Sequence, residues 1–228
     1  MISQKPASLM PTPPLENGDR LSRPEFERRY TAAPHIKKAE LIEGVVYVAS
    51  PLRHQQHGRP HSRVMTWLGV YQAMTPGTDL SIEPTVRLDL DNEPQPDAVL
   101  FIESAVGGQT TLSWDGYIEG APELVVEIAA SSAAIDTGSK KQAYRRNGVL
   151  EYIVWQSFEN QLEWFCLVDG EYSLLQPDPE GIIRSRVFPG LWLAIDALLS
   201  NNMQHVLAVL QQGLQSAEHQ DFMQGLSK

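Results

Sequence analysis

The acidic residue Glu127 lies inside an apolar run, PELVVEIAASS, which begins at Pro122. A short stretch rich in β-branched residues and bounded by proline and serines predicts a buried strand. Burying an unpaired carboxylate costs enough free energy that a protein has to compensate for it. A cationic partner, a raised pKa or a bound metal ion would each do so for Glu127, and the sequence leaves these three alternatives open.

Two further acidic residues stand where predicted strands begin. Asp97 lies in QPDAVLFI, and Glu43 precedes Gly44 at the turn into VVYV. If these strands are neighbours of the Glu127 strand, the three carboxylates meet at one edge of a sheet, where a hard divalent cation takes oxygen ligands. Such an ion polarises a phosphoryl oxygen and lowers the pKa of a bound water. Taken singly, Asp97 could be a strand-entry or turn residue and Glu43 a solvated hairpin residue. Taken together, Asp97, Glu127 and Glu43 favour a Mg²⁺ or Mn²⁺ site.

The helix predicted after the Glu127 strand, AIDTGSKKQAYRRNGV, carries four cations. Lys140 pointing back at the site could stabilise charge in the transition state or orient the attacking water. Lys141 and Arg145, with Arg146, could line a groove for a DNA backbone, through salt-sensitive contacts. The alternatives are a solvated helix surface, and a structural salt bridge from Glu127 to Lys140 or Arg145.

Three histidines, His54, His57 and His61, fall in RHQQHGRPHSRV with the spacing of a zinc-binding helix face. Pro60 is expected to interrupt that helix, no cysteine is near, and magnesium prefers oxygen, so zinc is not expected here. His57 is predicted to contact a substrate phosphate or to lie near the active site. A helix-start histidine satisfied by backbone groups is an equally weighted alternative.

The bulk composition limits the class of protein. With 228 residues, of which 42% are apolar, the chain is long enough and apolar enough to form one domain with a sizeable core. Its net charge of −10 argues against a global DNA-attracting field, although local patches can oppose the global sign. One cysteine, Cys166, precludes an internal disulfide and fits a reducing cytoplasm. No segment has the apolar length of a signal peptide or membrane span.

Periodicity and turn residues predict an α/β or α+β fold with a mixed sheet flanked by helices, extra strands and a C-terminal helix. Ser22 is the expected N-cap of a short helix with Pro24 in its first turn, and Asn147-Gly148 is the expected end of the helix after the Glu127 strand. The expected organisation is a flexible arm over residues 1–20, a domain over 21–200, and a C-terminal amphipathic helix and tail over 201–228. The apolar face of that last helix, in MQHVLAVLQQGLQ, has to be covered. Together with the resemblance described next, it predicts a homodimer.

Three segments carry a resemblance to a known family: AELIEGVVYVASP, QPDAVLFI, and PELVVEIAASS with the following IDTGSKKQAYRRNGVLEYIVW. They resemble the Uma-type restriction endonucleases, a bacterial group within the PD-(D/E)XK nuclease superfamily, over about residues 21–199. The resemblance implies a restriction-endonuclease-like core and divalent-metal-dependent hydrolysis of DNA phosphodiester bonds.

Carried over by position, Asp97 matches the aspartate of the family's PD pair and Glu127 the second acidic ligand. Glu43 resembles an early glutamate that helps to close the metal site. The usual superfamily lysine position is Ala129 here, and the resemblance instead assigns the lysine to Lys140, four residues before Tyr144. Two supporting positions are also implied: His57 fits a family histidine before the first long helix, and Asp136 matches an acidic position that orients the lysine.

Three functions follow as hypotheses. The first is a metal-dependent endodeoxyribonuclease that uses Asp97, Glu127 and Lys140. The second is a nuclease-fold protein that no longer cuts and serves as a binding or scaffold module, which Ala129 and the negative net charge favour. The third is a hydrolase of small phosphodiesters, which suits an acidic surface better than long duplex DNA does.

Overall fold

The structure, a computed structural model, describes residues 12–227; residues 1–11 of the predicted arm and Lys228 lie outside that range. Its helices are α1 (Arg23–Thr31), α2 (Arg59–Ala73), α3 (Ala133–Ile135), α4 (Lys141–Asn147), α5 (Ile195–Leu199), α6 (Met203–Leu214) and α7 (Ala217–Leu226). A π-helical turn, His54–Gly58, leads into α2, and a second, Asp136–Lys140, joins α3 to α4.

The strands fall into one large sheet and three small ones. They are β1 (Ala39–Ile42), β2 (Val45–Val48), β3 (Thr78–Ile82), β4 (Val86–Arg87), β5 (Ala98–Ile102), β6 (Thr111–Leu112), β7 (Ile118–Glu119), β8 (Leu124–Ala129), β9 (Glu151–Gln156), β10 (Gln161–Val168), β11 (Glu171–Leu174), β12 (Ile182–Arg184) and β13 (Trp192–Ala194). The large sheet has the order β11-β10-β9-β8-β5-β3. The small sheets are β1-β2, β12-β13 and β4-β7-β6.

The large sheet is mixed, because β8 and β9 run parallel while its other neighbours are antiparallel. The parallel pair needs a crossover, and α3, the π-helical turn and α4 supply it between Ala129 and Glu151. The predicted fold class, a mixed sheet flanked by helices, is therefore confirmed.

Both faces of the sheet are covered, which explains why the central strand β8 is apolar almost without interruption. On one face α2 and α6 pack over a core that includes Trp67, Leu100 and Trp164. On the other face α4 packs through Tyr144 against Val125 and its neighbours. All six residues of β8 are buried. A strand buried on two faces shows a continuous apolar run, so Glu127 enters the interior wherever its side chain points.

Local signals placed several element ends correctly. Ser22 is the N-cap residue of α1, with Pro24 in the first turn, as predicted. Gly148 ends α4 in the left-handed conformation, with φ of 84°. That conformation suits glycine because it has no Cβ. Several elements were not predicted, namely β3, β6, β7, β13, α5 and α7; β3 pairs with β5 at the edge of the large sheet.

The C-terminal helix α6 is part of the chain's own core. Its residues Val206, Val209 and Leu210 are buried in the same cluster as Trp67 of α2. The apolar face that suggested a homodimer is therefore covered within one chain, and dimerisation stays a prediction without that argument. Among residues 12–227, no helix is both long enough and apolar enough to cross a membrane.

The polar end of β9 gives a stability prediction. Glu151 is fully buried and accepts hydrogen bonds from the backbone N–H groups of Arg186 and Val187, from Ser185 Oγ and from Trp164 Nε1. Burial raises its pKa from 4.5 to about 7, against the effect of these donors. The folded protein thus holds a proton at this site over a pH range in which the unfolded chain has released it.

Stability should therefore fall as the pH rises from about 4.5 to about 7, because unfolding is then favoured by proton release from Glu151. Urea unfolding of the wild type and of Glu151→Gln, at several pH values in this window, isolates the effect. The wild type should lose stability relative to the variant as the pH rises. Parallel curves for the two proteins would contradict the raised pKa.

Candidate active site

The pairing of β5 with β8 brings Asp97 and Glu127 to one face of the large sheet. Ala98 pairs with Val126 in an antiparallel register, and continuing it by one residue sets Asp97 across from Glu127. The backbone N–H of Ile128 donates to Asp97 Oδ2 at 2.6 Å, which shows that the β5 and β8 segments are still adjacent at this point. Directly opposed residues share a face, so both carboxylates lie on the α4 side.

Glu127 is held by two residues of the following helical segment. Lys140 Nζ lies 3.0 Å from Glu127 Oε1, and the hydroxyl of Tyr144 donates to the same oxygen at 2.7 Å. A spacing of four residues along a helix puts both side chains on one face. No residue within 12–227 donates a hydrogen bond to Oε2 of Glu127, so one carboxylate oxygen is held and the other is left without a donor.

Lys140 lies among the carboxylates of Glu40, Glu127 and Asp136, which together with Asp97 form an acidic cluster. Its ammonium is 2.8 Å from Glu40 Oε1, 3.0 Å from Glu127 Oε1 and 3.5 Å from Asp136 Oδ1. Burial alone would lower the pKa of Lys140, but these carboxylates outweigh it and raise the pKa well above its usual value. The raised pKa favours the protonated form of Lys140, and the salt bridge from Glu127 to Lys140, one of the structural alternatives, is present.

The cluster contains more negative than positive charge. Three carboxylates, those of Glu40, Glu127 and Asp136, contact the Lys140 ammonium, and a fourth, Asp97, interacts electrostatically with Glu127 and Asp136. If all four were ionised, these carboxylates would carry three more charges than Lys140 compensates. Burial raises the pKa of Glu127 well above its usual value, with Lys140 opposing and the other carboxylates adding to the rise. Asp136 Oδ1 is buried without a hydrogen-bond partner. This excess of oxygen donors suits a divalent cation.

Asp97 is held differently. Its Oδ1 is 2.8 Å from His57 Nε2, and its Oδ2 accepts from the Ile128 N–H. Burial alone would raise the pKa of Asp97, but His57, Lys38 and the Ile128 N–H lower it below its usual value. His57 is buried and contacts Asp97. The structure thus places His57 beside the acidic cluster. Its predicted contact with a substrate phosphate stays a prediction.

His61 joins this arrangement, which the sequence analysis did not anticipate. Pro60 does not interrupt the helix: it lies in the first turn of α2, where its missing N–H costs no hydrogen bond, and the π-helical turn precedes it. His57, His61 and Asp97 consequently offer three ligand-type atoms within 4.8 Å of one another.

The histidine nitrogens nevertheless already have partners. His61 Nε2 is 2.8 Å from the carbonyl oxygen of Asp97, and a carbonyl only accepts, so this nitrogen carries a proton. His57 Nε2 likewise faces a carboxylate oxygen. A metal ion bound to these nitrogens would have to displace both hydrogen bonds. Without one, the two histidines fix the position of Asp97.

The structure does not bring Glu43 into the cluster. Glu43 occupies the turn between β1 and β2 with a φ of 54°, and its carboxylate pairs with Arg146. Glu40, three residues earlier on β1, contacts Lys140 instead and also accepts from the Gln95 N–H at 2.7 Å. The alternation of side chains along β1 could have identified Glu40. Ala39 and Leu41 point into the core, so Glu40 between them must face the other side of the strand.

The other cations of the α4 region are engaged elsewhere. Lys141 Nζ lies over the ring of Phe165, 3.3 Å from its centroid. Arg145 donates to the carbonyl of Gly170 at 2.7 Å and contacts Glu171 Oε1 at 3.1 Å. The predicted DNA groove made by Lys141 and Arg145 therefore consists of side chains that already have intramolecular partners.

The sheet is flanked by helices on both sides, and buried acids, a lysine and two histidines come together beside its inner strands β5 and β8. This arrangement is that of a protein with the restriction-endonuclease-like fold. The sequence profile of the Uma2 family, described as "Putative restriction endonuclease", matches residues 23–196. The chain belongs to this family.

Comparison with solved structures agrees. The chain is similar to the crystal structure of a "putative nuclease belonging to DUF820" from Anabaena variabilis, with a TM-score of 0.58 and 16% identity. The match covers 76% of this chain and 96% of that one. At this identity the likeness supports the fold. No curated protein matches the chain.

Proposed function

We propose that the protein is a divalent-metal-dependent endonuclease that hydrolyses phosphodiester bonds of DNA. The observation that carries the proposal is the buried cluster in which three carboxylates contact Lys140 and Asp97 lies across from Glu127, on a fold shared with a "putative nuclease". Membership of a restriction endonuclease family supports the same reaction class.

Asp97 and Glu127 are the proposed ligands of Mg²⁺ or Mn²⁺. Asp97 is kept ionised by its donors, and Glu127 has an oxygen that no residue in the described part of the chain donates to. Glu40 takes the supporting role that the sequence assigned to Glu43. When bound, the ion would polarise the phosphoryl oxygen and lower the pKa of the attacking water.

The remaining groups hold and balance this site. Tyr144 keeps Glu127 Oε1 in place, so the carboxylate cannot rotate freely. Lys140 stays protonated and therefore acts as an electrostatic stabiliser of negative charge rather than as a general base. Its contact with Asp136, at 3.5 Å the longest of the three, is the one that it can give up to reach a substrate oxygen.

Purified protein incubated with supercoiled plasmid and Mn²⁺ or Mg²⁺ should produce nicked and linear DNA, and EDTA should abolish the reaction. The expected readout is the conversion of plasmid forms on an agarose gel. Cleavage confined to dinucleotides would select the small-phosphodiester hydrolase. No cleavage of any substrate, with no metal binding by calorimetry, would contradict the proposal and favour the scaffold alternative.

A further inference from the structure

The distribution of charge along the chain is uneven next to the acidic cluster. The protein has 28 acidic residues and a net charge of −10, yet residues 44–78 contain no Asp or Glu. The same stretch contains Arg53, Arg59 and Arg63. A cationic segment in an acidic protein is a local patch of the kind that opposes the global sign.

Two of these arginines are fully available at the surface. Arg53 and Arg59 are exposed, and neither forms an ion pair within residues 12–227. Arg63, by contrast, is partly buried and donates to the carbonyl of Leu198. Many other arginines are paired with carboxylates, as Arg28 is with Glu25 and Arg184 with Asp178. Arg53 and Arg59 therefore keep their full charge for an external anion.

The same helical segment ties these arginines to the candidate site. The π-helical turn His54–Gly58 separates them, and its buried His57 contacts Asp97 Oδ1. His61, two residues after Arg59, contacts the carbonyl oxygen of Asp97. Arg53 and Arg59 thus lie four residues before and two residues after His57, the side chain that positions a proposed metal ligand.

We infer that Arg53 and Arg59, on the segment 53–59, form the surface that binds the phosphate backbone of a nucleic-acid strand entering the site. The acidic cluster repels a phosphodiester, so an approaching strand needs cations beside it. Arginine suits this role because its planar donor fork matches phosphate oxygens. This inference rests on the proposed function for the identity of the anion, and it places binding at the N-terminal end of α2 rather than along α4.

Salt-dependent binding tests the surface without requiring catalysis. Fluorescence anisotropy of a short fluorescein-labelled DNA duplex is measured without divalent metal, in the Glu127→Gln background so that the duplex stays intact. Arg53→Gln/Arg59→Gln should lower affinity about tenfold and reduce the slope of log K against log salt by about 0.9 for each arginine that contacts a phosphate. Arg28→Gln/Arg184→Gln, which removes the same charge elsewhere, should leave the slope unchanged.

Two outcomes would overturn the inference. One is an unchanged salt slope in Arg53→Gln/Arg59→Gln, with thermal unfolding showing that the variant is folded. The other is a larger loss of slope in Arg145→Gln/Arg146→Gln, which would return the binding surface to α4. Because binding is read separately from cleavage, a protein that binds through Arg53 and Arg59 but does not cut would contradict only the proposed function.

Discussion

Replacing Glu127 by glutamine is expected to abolish metal-dependent cleavage while leaving the protein folded. Lys140 and Tyr144 both donate to Oε1, so the amide oxygen of glutamine can keep both hydrogen bonds. The change removes only the negative charge and the second oxygen. We expect cleavage to fall by at least about a hundredfold, and the free energy of unfolding to stay within about 1 kcal/mol of the wild-type value. Plasmid cleavage and urea unfolding measure the two quantities.

Glu43→Gln is the matched control. Glu43 lies on the same hairpin as Glu40, but its carboxylate pairs with Arg146 outside the acidic cluster. The control should retain cleavage. If Glu43→Gln lost as much activity as Glu127→Gln, Glu43 rather than Glu40 would be the supporting acid. If Glu127→Gln cut normally, Glu127 would not be a ligand.

Replacing Lys140 by methionine is expected to have the largest effect on stability. The variant leaves Glu40, Glu127 and Asp136 close together without their shared cation. Removing one partner of a buried ion pair typically costs about 3–5 kcal/mol, because the remaining charge is uncompensated. The loss should be smaller at low pH, where protonation neutralises the carboxylates. Urea unfolding at pH 5 and at pH 8 measures both effects.

Lys141→Met provides the comparison for that experiment. Lys141 is the next residue, and its ammonium lies over the ring of Phe165, outside the acidic cluster. Losing a cation–π contact of this kind costs about 0.5–1 kcal/mol. Equal destabilisation by the two variants would show that Lys140 does not compensate the acidic cluster.

The sequence predicted the parts of the fold that depend on local chemistry. Ser22 and Gly148 marked helix ends, and the apolar run around Glu127 marked a strand buried on both faces. The need to compensate Glu127 followed from the cost of burying charge, and Lys140 is one partner that does so. Each of these inferences used residues close together in the chain.

The parts that the sequence did not predict depend on long-range packing. Glu40 and Glu43 lie on the same hairpin, but Glu40 contacts Lys140 and Glu43 pairs with Arg146. Which of the two faces the site depends on how the hairpin packs against the helical segment that carries Lys140. The apolar face of α6 suggested an interface with a second copy of the chain, but in the structure this face packs in the same core cluster as α2. His61 was set aside because Pro60 was expected to break the helix, and a π-helical turn before Pro60 removes that conflict.

The central claim is that Asp97 and Glu127 share one divalent cation. The most direct test is a crystal soaked in Mn²⁺ and measured for anomalous scattering, which locates the ion independently of activity. The claim predicts a peak in direct coordination with a carboxylate oxygen of Asp97 and one of Glu127. A peak bound to His57 and His61 without Glu127, or no peak at saturating Mn²⁺, would contradict it.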